Sequence, residues 1–120
     1  MFNLDDKAKY WLYTKPVDMR KSFNGLSGIV TNAMCANFRN GDVYIFMNAS
    51  RSMIKILRQE ECGLVLYAMR PDMGRIKSPA TGSDEELLST DLTYDDLVRM
   101  VQSAMNSPYV RRMKLLTNSL

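Results

Sequence analysis

The chain has 120 residues, carries 16 Lys and Arg against 13 Asp and Glu, and contains no histidine. That length suits one domain with a single modest core, an apolar fraction of 46% is ordinary for a globular protein, and no apolar run approaches the roughly 20 residues of a membrane span. Without histidine, His-based catalytic triads and His metal sites are excluded outright. The N-terminal Met-Phe-Asn-Leu-Asp-Asp has no basic region leading into an apolar stretch, so no signal peptide is expected. Cys35 and Cys62 form no CxxC pair, which predicts reduced thiols in a cytoplasmic protein, with neither a disulfide nor a zinc site.

The first predicted element is the aromatic strand Tyr10-Trp11-Leu12-Tyr13-Thr14. Lys15-Pro16 ends it, because proline fixes its own backbone and pushes the preceding residue away from helical angles. Asp18 is expected to cap a helix running from Met19 to about Met34, with Arg20 and Lys21 in its first turn. Met19, Phe23, Leu26, Val30, Ala33 and Met34 would form its buried face, and Arg20, Asn24, Ser27 and Thr31 its polar one. Gly25 and Gly28 weaken that helix and suggest close packing on a sheet.

Asn40-Gly41-Asp42 is a turn whose glycine supplies a positive φ. Val43 to Met47 then reads as a central strand, Met53 to Leu57 as the next, and Leu64 to Met69 as a third after a turn at Glu60-Glu61-Cys62-Gly63. Period-two alternation puts Lys55 and Leu57 on one face and Ile54 and Ile56 on the other. Arg75-Ile76-Lys77 is predicted as a short edge strand, and residues 79–90 as a polar loop. Thr93 should cap a second helix with Asp95 and Asp96 in its first turn, Leu97, Val98, Val101 and Met105 as its apolar stripe, and Pro108 as its stop. The prediction is one α+β domain over residues 1–110, with an antiparallel meander of about four or five strands, two main helices packed on it, and a basic tail at 111–120.

Charge is unevenly spread. Residues 19–78 hold nine Lys/Arg and four Asp/Glu, residues 79–110 one Arg and six acids, and residues 111–120 three cations. A basic body is a modest pointer to a polyanion. Arg51, Lys55 and Arg58 follow one another through a turn and strand, and Arg70, Arg75 and Lys77 fall near the adjoining strands. Together with Lys15, Arg20 and Lys21 they form the candidate phosphate-binding surface. The bland alternative is a mixed surface in which Arg20 pairs with Asp18 and only holds the turn. The residues alone leave both readings open. No phosphate loop, dinucleotide fingerprint or helix-turn-helix signature is present. Asp84, Glu85, Glu86, Asp91, Asp95 and Asp96 fall on a polar loop and a helix start, where a solvated role suits them better than a two-metal site. Cys35, after an apolar helix, is expected to be a buried small hydrophobe.

Lys15-Pro16-Val17-Asp18-Met19-Arg20-Lys21-Ser22-Phe23-Asn24-Gly25-Leu26 resembles the signature of one known family, the small accessory protein encoded by the second open reading frame of insertion sequences of the insertion sequence 66 family. Asn40 to Asn48, Ser52 to Leu57 and Gly63 to Tyr67 resemble its later strands. The likeness covers about Tyr10 to Lys77. Two departures stand out: the family's Arg-rich run after the strand-ending Asn is reduced here mainly to Arg51, and its Trp before Pro is replaced by Arg75-Ile76-Lys77-Ser78-Pro79. The resemblance implies a non-catalytic, cofactor-free accessory of DNA transposition that binds element DNA, the separate transposase, or both. The rival reading is a pure protein adaptor whose interface is Tyr10, Tyr13, Tyr44 and Tyr67.

Overall fold

Aromatic and β-branched side chains build a sheet that is covered on both faces. The computed structural model describes residues 7–72, 74–77 and 89–105. Among these residues, Tyr10–Tyr13 (β1), Val43–Met47 (β2), Ile54–Glu60 (β3), Gly63–Met69 (β4) and Ser89–Leu92 (β5) form one sheet in the order β4-β3-β2-β1-β5. Phe23–Asn32 (α1) and Tyr94–Met105 (α2) are the helices. The α+β class is as predicted, and β2-β3-β4 is the expected antiparallel meander.

Two details of the sheet differ from expectation. β1 pairs with β2 in parallel, with Tyr10 beside Val43 and Leu12 beside Ile45. The helix between them returns the chain to its starting end, so β2 must run the same way as β1. The fifth strand is also not at residues 75–77. Ile76 is fully buried and its N–H bonds the Arg51 carbonyl at 2.9 Å, a single tether without a ladder. The strand comes instead from Ser89–Leu92, inside and just beyond the predicted loop, antiparallel to β1 with Tyr13 opposite Ser89. β1 is therefore an interior strand.

Alternation divides the core in two. Tyr10, Leu12, Val43, Ile45, Ile54 and Ile56 pack with Ile76 and with Leu97 and Met100 of α2. Tyr44, Phe46 and Leu57 pack on the other face with Val17 and with Leu26 and Val30 of α1. All five residues of β2 are buried, as its continuous apolar run requires of a strand covered on both sides. Tyr10 and Tyr44 are core residues, which removes half of the tyrosine interface offered for a pure adaptor.

The second helix starts as predicted. Thr93 Oγ1 accepts the Asp96 N–H at 3.1 Å and the Asp96 carboxylate accepts the Thr93 N–H at 3.1 Å, a reciprocal capping box. Those bonds hold the Asp96 carboxyl below its usual range. The first helix does not start as predicted. α1 begins at Phe23, with Ser22 at the N-cap position, so Arg20 and Lys21 precede it and Asp18 does not cap it. Its buried side is Leu26, Ser27 and Val30; Ser27 donates to the Phe23 carbonyl, while Phe23 itself is 43% exposed. Ser27 satisfies its hydroxyl within the helix and so enters the core at little cost. The helix glycines are not close-packing sites: a Cβ on Gly28 would meet nothing within 4 Å, and one on Gly25 only the Lys21 side chain at 3.1 Å. Cys35 is exposed rather than buried, because its φ of 54° turns the chain out of the helix and lets the Ala36 N–H reach back to the Val30 carbonyl. Gly41 has the positive φ, 88°, expected of its turn. Asp84, Glu85, Glu86, Pro108 and residues 111–120 lie outside the described residues.

Candidate nucleic-acid interface

The strand directions decide which cations meet. β1 and β2 run together toward Tyr13 and Met47, β3 starts at that same end with Ile54, and β4 ends there with Met69 opposite Ile54. The loop after β1, the loop after β2 and the segment after β4 therefore share one edge. Three bonds tie them: the Val17 N–H to the Met47 carbonyl at 2.9 Å, the Ile76 N–H to the Arg51 carbonyl at 2.9 Å, and Lys55 Nζ to the Lys21 carbonyl at 2.7 Å.

Seven of the nine candidate cations are exposed at this edge: Lys15, Arg20, Lys21, Arg51, Arg70, Arg75 and Lys77. Asp18 and Asp72 are the exposed carboxylates of the same segments. The other two candidates are placed differently. Lys55 is only 9% exposed; it points to the α1 side, as alternation requires, and spends its ammonium on the Lys21 carbonyl beneath the turn. Arg58 sits toward the opposite end of β3, where its Nε donates to the Gly41 carbonyl at 3.2 Å. There it lines an open recess of about 440 Å³ with Lys7, Lys9, Asn40 and Asp42.

Arg51 is exposed on the loop after β2. Its φ of 55° is unusual for a residue with a Cβ, and the surrounding loop enforces it. Asn48 Oδ1 accepts the N–H groups of Ser52 at 2.9 Å and Met53 at 3.2 Å, Asn48 Nδ2 donates to Ser52 Oγ at 2.9 Å, and the Arg51 N–H returns to the Asn48 carbonyl at 3.0 Å. Asn48 is thus the organiser of the loop, a role that its position at a strand end before Ala-Ser hints at.

Arg20 and Asp18 form a local brace. The Arg20 guanidinium donates to both carboxylate oxygens, at 2.7 Å from one terminal nitrogen, and the Arg20 backbone N–H adds a bond at 2.9 Å. The side-chain bonds from Arg20, then its backbone bond, lower the Asp18 carboxyl from 3.8 to about 2. The pairing in turn raises the Arg20 guanidinium further above its ordinary range. Arg20 still keeps 91% of its side chain exposed, so the brace leaves one face of the guanidinium to solvent. Near the other end of the sheet, the sequence reading missed the bond from Trp11 Nε1 to the Asp42 carboxylate, 3.1 Å, which fixes the turn before β2 to β1. Among the described residues, no group of three His, Cys, Asp or Glu side chains converges into a metal-sized cluster, and no helix is long and apolar enough to cross a membrane.

The structure thus presents a small mixed sheet with exposed cations along one edge and a loop there organised by Asn48. A family model described as IS66 Orf2 like protein matches residues 8–106, and the chain belongs to that family of transposition-associated accessory proteins. The chain is also 29% identical over 88 residues to the uncharacterized protein y4hO of Sinorhizobium fredii, a match that spans 72% of this chain and 76% of that protein. No solved structure matches it.

Proposed function

We propose that the protein is a non-catalytic accessory of DNA transposition in the bacterial cytoplasm, holding element DNA on its basic edge beside the separate transposase. The observation that carries this reading is the convergence of three sequence-distant loops, with their exposed cations, at one edge of the sheet, where the backbone of the Arg51 loop is held by Asn48. Phosphate contacts from such an edge need no base recognition and act by releasing counterions. The turn after β1, which resembles the family signature, supplies Lys15, Arg20 and Lys21 of these cations.

The test compares a Lys15→Ser/Arg51→Ser/Arg75→Ser variant with an Arg39→Ser control at the other end of the sheet. Binding to an element-end duplex and to purified transposase is measured for each, together with transposition in cells. The triple variant is expected to lose duplex binding and transposition while the control keeps both. Transposase binding with no duplex binding by the wild type would replace this reading with the adaptor.

A further inference from the structure

We infer that β4 pairs with β4 of a second copy of this chain, so that two sheets continue as one across a two-fold axis at Leu66. β4 is the terminal strand of the sheet, and among the described residues nothing pairs with its outer side. Its seven residues, Gly-Leu-Val-Leu-Tyr-Ala-Met, include no charge and no proline. Sheet edges in monomers are usually blunted by lysine, proline or a bulge. This one offers about 23 Å of uninterrupted edge, at roughly 3.3 Å per residue.

The register follows from the hairpin. The two-residue turn at Glu61-Cys62 makes Glu60 and Gly63 a hydrogen-bonded pair. Alternation along the ladder then directs the N–H and C=O groups of Leu64, Leu66 and Ala68 outward. An antiparallel pair centred on Leu66 sets Gly63 opposite Met69, Leu64 opposite Ala68 and Val65 opposite Tyr67 in both copies. All seven residues are paired, no like charges meet, and any shift along the strand leaves residues unpaired.

Charge complementarity selects a second copy as the occupant. One step beyond the ladder, Arg70 arrives beside the Glu61-Cys62 turn of the second copy. Both Arg70 and Glu61 are exposed, and they stand at opposite ends of β4, too far apart to pair within one chain. The Glu60 carboxylate is held by the Tyr67 hydroxyl at 2.7 Å, which leaves Glu61 as the acid of the turn for this contact. Symmetry makes the contact twice. The opposite edge of the sheet is less suited, since β5 is shorter and carries Asp91.

This inference does not rest on the DNA reading. The experiment is sedimentation of the full chain from about 1 μM to 1 mM, the range of a small interface. The wild type is expected to dimerise. Ala68→Pro, which removes an outward N–H at an exposed position, is expected to be monomeric with its circular dichroism retained. Arg70→Glu and Glu61→Arg are each expected to weaken the dimer roughly tenfold, and the double reversal to restore it. A wild type that stays monomeric overturns the inference. So does a dimer indifferent to Ala68→Pro and to the charge reversals, or a dimer that forms only after residues 106–120 are deleted, which would make the tail the natural cover of this edge.

Discussion

Salt dependence gives the sharpest test of the basic edge, because each cation has a distinct fate in the structure. Arg20 is already engaged by Asp18, and Lys55 is buried on the Lys21 carbonyl. That leaves Lys15, Lys21, Arg51, Arg70, Arg75 and Lys77 exposed at the edge. With about four to six phosphates contacted, the slope of log affinity against log salt is about −3.6 to −5.4. Between about 50 and 200 mM salt, duplex affinity should therefore fall about 150- to 1,800-fold. Fluorescence anisotropy on a labelled duplex measures this directly. Arg51→Ser should make the slope shallower by about 0.9, one counterion's share. Lys55→Met should lower the melting temperature and leave the slope alone, and Arg58→Ser should leave the slope alone because Arg58 faces the other end of the sheet. A slope unmoved by Arg51→Ser, or moved equally by Arg58→Ser, would refute the assignment of the interface to this edge.

Further variants probe the frame around that edge. Asp18 has a folded-state carboxyl near 2 against an ordinary 3.8, so its contribution is complete above about pH 4 and is lost as pH falls toward 2; the melting-temperature gap between wild type and Asp18→Asn should close over that window, and a constant gap would mean the brace carries no proton linkage. Ile76→Ala should cost about 2–5 kcal/mol in urea unfolding, because a fully buried aliphatic side chain leaves a cavity; a loss under about 1 kcal/mol would show that the segment after β4 is not anchored in the core. Thr93→Ala should cost about 0.5–2 kcal/mol through the lost capping box, with Thr93→Ser close to wild type; equal losses in the two variants would shift the effect from the hydroxyl to packing.

The strands were the legible part of this chain, and the reasons are local. Val43–Met47 is apolar throughout because both its faces are covered, and the sequence pattern carries that information directly. Ser89–Leu92 was illegible because Ser-Thr-Asp-Leu has little strand character of its own; its conformation comes from pairing with β1. The two predicted helix caps make the same point. Thr93 is followed at the third position by Asp96, which returns the bond, whereas Asp18 is followed by Arg20, a stronger local partner for its carboxylate than an orphan N–H. Helical periodicity identified a buried stripe in α1 but not its rotation, so Phe23 and Ser27 exchanged places. For the interface, period-two alternation gave the face of Lys55 correctly. Its burial depends on the turn lying over it, and a strand pattern holds no information about that depth.

The interior position of β1 has a consequence for synthesis of the protein. Its outer neighbour begins at Ser89, 76 residues after Tyr13. At about 5–20 residues per second, a ribosome takes roughly 4–15 s to cover that distance. Throughout that interval the nascent chain can complete β1, α1 and the β2-β3-β4 meander, but one side of β1, with the backbone N–H and C=O groups of Tyr10 and Leu12 on it, has no ladder to join. Any product released before Ser89 would keep that open edge permanently and so be directed toward aggregation or degradation. Translation to at least Leu92 is thus a condition for the complete five-stranded sheet, although every residue of the basic edge has already been synthesised by Lys77.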